Sequence, residues 1–363
     1  MKLNTKANKY LAMAERSIGV GKPIYIVAEL SANHGQDLHR AEKLIYEAKR
    51  AGADAVKIQT YTPDTLTIDC QGEHFRIGPG TVWGEQSLYE LYSQAYTPWE
   101  WQPRLKQIAV ELGLDFFSTP FDASAVDFLE QMDVPAYKIA SFEIVDLPLL
   151  RRIAATGKPI ILSTGMATLE EIREAVETLQ KAGNRELALL KCTSAYPAPL
   201  EEMNLRSIAA LSDIFGVPAG LSDHTLGIAV PVAAVALGAC IIEKHFTLAR
   251  SVPGPDSAFS LEPEEFRQMA DAIRETEKAL GEVRFGPSER EAPNLVFRRS
   301  LFVVEDMKAG DAFTERNVRS IRPGHGLHPK YLEDVLACRA QFDIPRGTPL
   351  SWASVAKTQS RSA

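Results

Sequence analysis

Two histidines close two short apolar segments of the chain: His224 ends GLSDH, and His245 ends CIIEKH. Residues 226–242, which lie between them, include no charged residue. This pattern predicts a buried helix over about residues 225–237 and a buried strand over about residues 239–244. In a parallel α/β protein ligands bind at the carboxyl ends of the strands, so both histidines are expected at that edge.

The chemistry that suits this pair of histidines is metal binding. A single histidine at a strand end is more often a hydrogen-bonded structural residue, but two at equivalent ends, with Glu243 and Asp256 nearby, favour metal ligands. Imidazole and carboxylate groups with open coordination positions suit a divalent metal such as Mn²⁺, Mg²⁺ or Zn²⁺. We therefore predict a metal site that includes His224 and His245.

Polar side chains recur at the ends of the other predicted strands. They are Glu29, Lys57, Gln59, Ser118, Thr119, Lys138, Ser141, Glu143, Ser163, Thr164, Cys192, Ser194 and Ser222. Lysine supplies a point charge, and serine and threonine supply short donors, a combination that suits a phosphate group. For one lysine alone, an ion pair with a neighbouring glutamate is as good an explanation as a binding site. The whole ring of polar residues at the strand ends favours a binding site.

The elements that must position this ring alternate regularly along the chain. The predicted strands are IYIVAEL (24–30), AVKIQT (55–60), DFFSTP (115–120), AYKIAS (136–141), PIILSTG (159–165), LALLKCTS (187–194), GLSDH and CIIEKHF. A helix or helical loop follows each strand, and one helix starts with a capping box in which Thr168 precedes Glu171 by three residues. This order fits an α/β fold of the (β/α)₈ TIM barrel type better than an open doubly wound sheet.

Two segments depart from this alternation. Residues 61–86 form a long insertion, whose aromatic residues and His74 favour a loop that faces the substrate. The barrel is predicted over residues 1–284, followed by a linker over 285–299 that mixes Pro, Gly and charge. Residues 300–363 then show short strands and turns, which predicts a small, mostly β domain. This domain is near the lower size limit for folding alone, so we expect it to pack against another protein surface.

Composition limits the function classes. The formal net charge of −7 argues against non-specific nucleic-acid binding. The four cysteines (Cys70, Cys192, Cys240 and Cys338) form no CxxC pair and are expected to be buried free thiols in a reducing compartment. The N-terminal segment has no apolar signal core, so we expect a cytoplasmic protein with no membrane partner.

A series of motifs carries a family resemblance. In chain order they are AELSANHG, KIQTYTPDTLT, FSTPFD, YKIASFEI, ILSTGMA, CTSAYPAP, GLSDHT, EKHFT and PGPDSAFSL. They resemble the sialic acid synthase family, and the tail resembles its small antifreeze-like (SAF) module. AELSANHG, YTPDTLT and the stretch 89–101 are similar to the branch whose sugar is a 2,4-diacetamido-2,4,6-trideoxy-altrose, with the N-acetylneuraminate and legionaminate branches as alternatives.

The resemblance implies a transferase that condenses phosphoenolpyruvate with the open-chain aldehyde of an amino sugar and releases phosphate by C–O cleavage. It implies that His224 and His245 bind a divalent metal, Mn²⁺ or Mg²⁺, which would polarise the aldehyde. The implied phosphoenolpyruvate ligands are Lys57, Thr119, Lys138, Ser141, Ser163, Ser194 and Ser222, with Tyr196 lining the same pocket. Glu29 and Glu143 would handle protons and sugar hydroxyls, Glu29 as the main acid–base group, and Asp256 would lie in the site.

The same resemblance implies a domain-swapped homodimer. In that arrangement the tail of one subunit reaches over the barrel mouth of its partner, and Arg322 contacts the N-acyl group of the substrate. The alternative for Arg322, which precedes PGHG, is an ordinary turn residue.

Three other functions are open from the sequence. Lys138 stands where a barrel lysine could form a Schiff base, as in an aldolase. Another phosphoenolpyruvate-condensing barrel, such as a heptulosonate-phosphate synthase, lacks the antifreeze-like tail. A carbohydrate-binding protein without activity would have no need for paired metal ligands.

Overall fold

The computed structural model describes residues 9–78, 81, 83–84 and 86–356. The chain divides into two compact units, Met1–Gly281 and Glu282–Ala363. No helix in the described part of the chain combines the length and the apolar composition needed to cross a membrane.

The first unit is a closed barrel of eight parallel strands preceded by an antiparallel hairpin. The hairpin strands are β1 (Tyr10–Met13) and β2 (Arg16–Gly19), and the barrel strands are β3 (Tyr25–Glu29), β4 (Ala55–Thr60), β5 (Asp115–Pro120), β6 (Tyr137–Ile139), β7 (Ile160–Ser163), β8 (Leu187–Cys192), β9 (Ala219–Asp223) and β10 (Ile241–His245). Consecutive strands are neighbours, and β10 closes the barrel against β3. The predicted (β/α)₈ barrel is confirmed.

Most helices of the first unit cover the outside of the barrel, and two of those between β4 and β5 contribute to the cavity at its mouth. The helices are α1 (Leu38–Arg50), α2 (Pro63–Leu66), α3 (Leu88–Ala95), α4 (Gln102–Glu111), α5 (Ala123–Gln131), α6 (Leu147–Ala154), α7 (Leu169–Lys181), α8 (Ser207–Phe215), α9 (Ala229–Ala236) and α10 (Pro263–Leu280). The capping box predicted for α7 is present: Thr168 Oγ1 accepts from Glu171 N at 3.2 Å, and Glu171 Oε2 accepts from Thr168 N at 2.7 Å. Helix α9 begins later than predicted because Thr225 turns back to donate from its N–H and hydroxyl to the Asp223 carboxylate.

Side chains of each barrel strand alternate between two cores, as the period of two requires. Ile58 and Phe116 pack in the large cluster between strands and helices, whereas Val27, Ala55 and Phe117 pack in a smaller cluster inside the barrel. The inward row of each strand therefore continues toward the carboxyl end, where its last polar residue reaches the barrel mouth.

The N-terminal hairpin, which the sequence did not predict, fills the opposite end of the barrel. Leu11, Met13 and Ile18 are fully or almost fully buried and pack with Tyr25 and Ala55, the first residues of β3 and β4. The cavity of the barrel is therefore closed at the amino end of the strands and open at the carboxyl end.

The second unit consists of short strands around its own small core. Its elements are β11 (Ser300–Val303), β12 (Val318–Ile321), α11 (Leu332–Leu336), β13 (Arg339–Ala340) and β14 (Val355–Ala356). Leu301, Phe313 and Val335 are among the residues that form its core. The segment predicted as a linker contains a 3₁₀ turn, Ala292–Phe297.

The four cysteines are free thiols. Cys192 and Cys240 are buried, as expected, but Cys70 and Cys338 are only half-buried. The expectation of burial is wrong for these two because neither belongs to a barrel strand: Cys70 lies in the insertion after β4, and Cys338 lies between α11 and β13.

Candidate active site

A cavity of about 400 Å³ lies at the carboxyl ends of the barrel strands. The strand register brings Glu29 opposite both Lys57 and His245, and Ser222 opposite Glu243. The predicted site residues that line the cavity are Glu29, Lys57, Gln59, Thr119, Lys138, Ser141, Glu143, Ser163, Cys192, Tyr196, Ser222, His224, Glu243, His245 and Asp256. Parallel register thus gathers residues that are more than 200 positions apart in the chain, such as Glu29 and His245.

Four other predicted residues stand apart from this lining. Ser194 lies next to it, with its Oγ 3.8 Å from Cys192 Sγ. Arg322 belongs to the second unit and is exposed. The expectation that Ser118 and Thr164 face the pocket is wrong, because each is next to a residue that faces it, Thr119 or Ser163. Ser118 Oγ donates instead to the Ile58 carbonyl at 3.1 Å, and Thr164 Oγ1 donates to the Leu190 carbonyl at 3.0 Å.

Two lysines and two glutamates form a buried ionic cluster at the centre of the site. Lys57 Nζ lies 2.5 Å from Glu29 Oε2 and 3.7 Å from Glu243 Oε1. Lys138 Nζ lies 4.0 Å from the same Glu243 oxygen. All four side chains are at most 6% exposed. Glu243, which the sequence indicated only as a neighbour of the two histidines, therefore lies between the two cations.

The ionisable groups of the cluster differ in proton affinity. Burial raises the pKa of Glu29, and the nearby charge of Lys57 only partly opposes this. Burial works against the charged form of Lys57, but the carboxylates of Glu243 and Glu29 outweigh it and raise its pKa. Burial acts to raise the pKa of Glu243, but the positive charges of Lys138 and Lys57 outweigh burial, so this pKa is lowered. Glu29 is therefore the carboxyl of the cluster that takes up a proton most readily.

Hydroxyl groups surround the two ammonium groups. Lys138 Nζ donates to Ser163 Oγ at 2.6 Å, and Lys57 Nζ donates to Thr119 Oγ1 at 3.4 Å. Ser141 Oγ accepts from the N–H of Gly165 at 3.0 Å. This set of short donors beside fixed positive charge is suited to an oxyanion such as a phosphate or a carboxylate.

His224 and His245 lie side by side, with ring centroids 5.2 Å apart. His224 Nδ1 lies 3.1 Å from the carbonyl oxygen of Thr193, so Nδ1–H donates and Nε2 is the unprotonated nitrogen when this ring is neutral. Burial lowers the pKa of His224, but Cys192 and the Thr193 carbonyl outweigh it, so this pKa is raised. Burial, followed by the charge of His224, lowers the pKa of His245 well below its ordinary value, and its buried Nδ1 has no hydrogen-bond partner among the described residues. In their neutral forms the two imidazoles fit a divalent metal, whose binding would release a proton from His224.

Within the described residues, no group of three or more histidine, cysteine, aspartate or glutamate side chains is placed to hold a metal ion. His224 and His245 are thus a pair of candidate ligands rather than a complete coordination shell.

A hydrogen-bonded chain leads from Glu29 to Asp256. Gln59 Nε2 donates to Glu29 Oε1 and to Ser31 Oγ, both at 3.1 Å, and Ser31 Oγ donates to Asp256 Oδ2. Sequence reasoning missed Ser31, although its position two residues after Glu29 continues the inward row of β3. Burial raises the pKa of Asp256.

The insertion after β4 forms one side of the cavity, as expected from its aromatic content. Trp83 packs against Tyr196 with ring centroids 5.3 Å apart, and its Nε1 donates to Pro255 O at 3.0 Å. His74, which had suggested the same role, is exposed and is not part of the lining. Other lining residues from β4 to α3, including Tyr61, Leu91 and Tyr92, were not predicted individually.

Comparison with known proteins gives a consistent result. Residues 44–285 match the NeuB family, and residues 298–356 match the SAF domain. A Helicobacter pylori protein named pseudaminic acid synthase is 47% identical over 332 residues, which cover 91% of this chain and 97% of that protein. A Legionella pneumophila protein named N,N'-diacetyllegionaminic acid synthase is 38% identical over 342 residues, which cover 93% and 96%.

A solved structure is also similar. The crystal structure of an N-acetylneuraminic acid (sialic acid) synthetase from Leptospira borgpetersenii, in complex with citrate, matches with a TM-score of 0.70 and 32% identity. The match covers 79% of this chain and 95% of that one.

Proposed function

The chain belongs to the NeuB family, with a SAF domain after the barrel, and from this membership we propose that it is a pseudaminic acid synthase. This transferase condenses phosphoenolpyruvate with the open-chain aldehyde of 2,4-diacetamido-2,4,6-trideoxy-altrose. A C–C bond forms between C3 of phosphoenolpyruvate and the aldehyde carbon, and water adds at C2. The bond between C2 and the bridging oxygen then breaks, and that oxygen leaves with the phosphate. The 47% identity to a pseudaminic acid synthase supports this sugar, with N-acetylneuraminate or legionaminate synthesis as the alternatives.

The observation that carries the proposal is the pair of buried lysines on either side of Glu243. Phosphoenolpyruvate brings two anionic groups, a phosphate and a carboxylate, and each needs fixed positive charge in a site from which water is excluded. Lys57 and Lys138 supply that charge, and Thr119 and Ser163 add hydroxyl donors at 3.4 and 2.6 Å from the ammonium groups.

Glu29 takes the main acid–base role. Burial raises its pKa, which favours proton uptake by this carboxyl, as a general acid–base group requires. Lys57 Nζ and Gln59 Nε2 contact its two oxygens, so the side chain is held in one orientation at the cavity. Glu143 handles sugar hydroxyls, and its buried Oε2 has no hydrogen-bond partner within the described residues.

His224 and His245 are the proposed metal ligands, for Mn²⁺ or Mg²⁺. When bound, the metal supplies Lewis acidity that polarises the sugar aldehyde. The chain keeps both rings in place by packing: Tyr196 lies 4.5 Å from the His224 ring and Phe259 lies 4.9 Å from the His245 ring.

The remaining assignments follow from the family. The phosphoenolpyruvate ligands are Lys57, Thr119, Lys138, Ser141, Ser163, Ser194 and Ser222, with Tyr196 beside them and Asp256 on the sugar side. The protein is proposed to act in the cytoplasm as a domain-swapped homodimer in which Arg322 contacts the sugar's N-acyl group in the partner's site.

The test is phosphate release from phosphoenolpyruvate in the presence of Mn²⁺ with three sugars. They are N-acetylmannosamine, the 2,4-diacetamido-2,4,6-trideoxy-altrose and its mannose-configured isomer. We expect metal-dependent release with the altrose compound alone. Release only with another sugar would change the specificity within the family, and release with none, in folded metal-loaded protein, would overturn the proposal.

The Schiff-base alternative has one observation in its favour, since burial lowers the pKa of Lys138. Its Nζ is nevertheless occupied by Ser163 and the Ile139 carbonyl. Borohydride treatment in the presence of both substrates distinguishes the two reactions: the synthase leaves no covalent adduct on Lys138, whereas an aldolase does.

A further inference from the structure

Helix α3 carries an apolar stripe that faces the cavity. Its members are Leu88, Leu91, Tyr92 and Ala95, at the i, i+3, i+4 and i+7 spacing of one helix face. All four line the cavity, and the opposite face carries the exposed Ser93 and Gln94. We refer to the four residues as the apolar wall.

An apolar stripe of this kind ordinarily packs on a hydrophobic core. Among the residues that the structure describes, none of the four belongs to either hydrophobic cluster of the barrel. Leu91 is 8% exposed, whereas Leu88, Tyr92 and Ala95 are half-buried. A molecule bound in the cavity would cover the apolar surface that these three leave open.

The apolar wall is firmly held. A capping box fixes the start of α3: Ser87 Oγ accepts from Glu90 N at 3.2 Å, and Glu90 Oε2 accepts from Ser87 N at 2.8 Å. Gln36 Nε2 donates to the carbonyl oxygen of Tyr96, just after the helix, at 2.6 Å. Tyr61 packs edge-on against Tyr92 at 5.7 Å. A wall anchored at both ends can discriminate between ligands because it does not simply move aside.

The two sides of the cavity are chemically unlike, since the strand ends supply the ionic cluster and α3 supplies apolar side chains. The aldehyde carbon, C1, must lie at the strand ends to react with phosphoenolpyruvate. The other end of the open-chain sugar, C6, then points away from the ionic cluster.

We propose that the apolar wall binds the C6 methyl group of the sugar and so selects 6-deoxy over 6-hydroxy substrates. This inference rests on the proposed function. A methyl group is transferred favourably from water to such a surface, whereas a hydroxymethyl group would lose its hydrogen bonds to water there and find no partner.

The experiment uses two sugars that differ only at C6, the 2,4-diacetamido-2,4,6-trideoxy-altrose and its 6-hydroxy counterpart. We expect wild-type kcat/KM for the 6-deoxy sugar to exceed that for the 6-hydroxy sugar by about tenfold or more. Leu91→Asn places an amide of similar size on the apolar wall and should reduce this ratio by about tenfold, with the KM for phosphoenolpyruvate unchanged. Ser93→Asn makes the same amide on the exposed face and should leave the ratio as in wild type.

The outcomes separate the two proposals. Activity with neither sugar would count against the proposed function itself. Activity with both and a wild-type ratio near one, or a ratio within twofold of wild type in folded Leu91→Asn, would overturn the role of the apolar wall. If Leu91→Asn does not fold, Ala95→Ser adds a single oxygen to the same face and should shift the ratio in the same direction, and an unchanged ratio there is equally decisive.

Discussion

Lys244 Nζ lies 2.6 Å from Asp223 Oδ2, and neither side chain has any exposed surface. The Asp223 carboxylate also accepts from the N–H and hydroxyl of Thr225, and Lys244 donates to the Thr225 carbonyl. These contacts tie the end of β9 to the end of β10 on the outer side of the barrel. Since His224 and His245 directly follow Asp223 and Lys244, the ion pair fixes the backbone that carries both proposed metal ligands.

Removing one partner of this pair should destabilise the protein strongly. Lys244→Met leaves the Asp223 carboxylate buried without its counter-charge, which typically costs about 3–5 kcal/mol. The matched control is Lys181→Met, because Lys181 pairs with Glu177 at 3.2 Å but is 77% exposed, and such pairs contribute less than about 1 kcal/mol. Urea unfolding measures both free energies, and equal losses in the two variants would contradict the structural role of the buried pair.

The N–H of Gly165 binds Ser141, and the space beside its Cα holds two hydroxyl groups. A Cβ added there would lie 2.7 Å from Ser141 Oγ and would also collide with Ser194 Oγ. Gly165→Ala should therefore displace both proposed phosphoenolpyruvate ligands and raise the KM for phosphoenolpyruvate by about tenfold, the effect of one or two lost hydrogen bonds. Gly78→Ala is the control, because a Cβ at Gly78 meets no atom of the described residues within 4 Å. An unchanged KM in Gly165→Ala would show that these hydroxyls do not bind the anion.

Glu143 should make stability depend on pH. Burial raises its pKa to about 7 in the folded protein from 4.5, so the folded state binds more protons than the unfolded state between these values. The free energy of unfolding therefore falls as pH rises through this window, by about 3 kcal/mol at most, and levels off above it.

Glu143→Gln removes this titration, so the variant should become more stable relative to the wild type as pH rises from 4.5 to 7. Glu201→Gln, at an exposed position, is the control and should follow the wild-type profile. Urea unfolding at closely spaced pH values gives the comparison. A constant difference between Glu143→Gln and wild type across the window would exclude the raised pKa.

The polar ring was predictable because it depends on simple geometry. Glu29 and His245 end β3 and β10, and Lys57 lies on the inward row of β4. Parallel register brings such residues together whatever their separation in the chain. The same reasoning misplaced Ser118 and Thr164, since one residue of shift along a strand turns the side chain to the other face.

Other features leave no distinct mark in the sequence. The stripe of Leu88, Leu91, Tyr92 and Ala95 has the same spacing whether a helix faces a core or a cavity, so only the structure shows which one it meets. The hairpin strands that contain Leu11 and Ile18 have four residues each, too few for alternation to predict a strand that closes a barrel.

Metal binding can be measured without activity. Mn²⁺ at about 100 times its dissociation constant should add about 2.7 kcal/mol to the free energy of unfolding of the wild-type protein. His245→Ala removes one of the two proposed ligands and should abolish this increment and the heat of Mn²⁺ binding in calorimetry. His39→Ala, at a side chain that is 95% exposed, should retain both. Wild-type Mn²⁺ affinity in His245→Ala would place the metal elsewhere.

Glu29→Gln tests the acid–base assignment. The amide keeps the size of the side chain but cannot exchange a proton, so kcat should fall by a factor of about 10²–10⁴. Binding of phosphoenolpyruvate, measured by calorimetry, should change little because Lys57 and Lys138 remain. Weaker binding with an unchanged kcat would instead make Glu29 a binding residue.

The proposed exchange of Arg322 between subunits has a consequence that two inactive variants can reveal. In a heterodimer of Glu29→Gln and Arg322→Ala, the barrel of the Arg322→Ala subunit retains Glu29 and receives an intact Arg322 from its partner, while the other site lacks both groups. A swapped dimer should therefore regain about half of the wild-type activity, as its symmetry requires. If each barrel used its own Arg322, both sites of the heterodimer would lack one group. Tagged subunits purified as heterodimers distinguish the two arrangements, and activity no higher than that of either parent would rule out exchange.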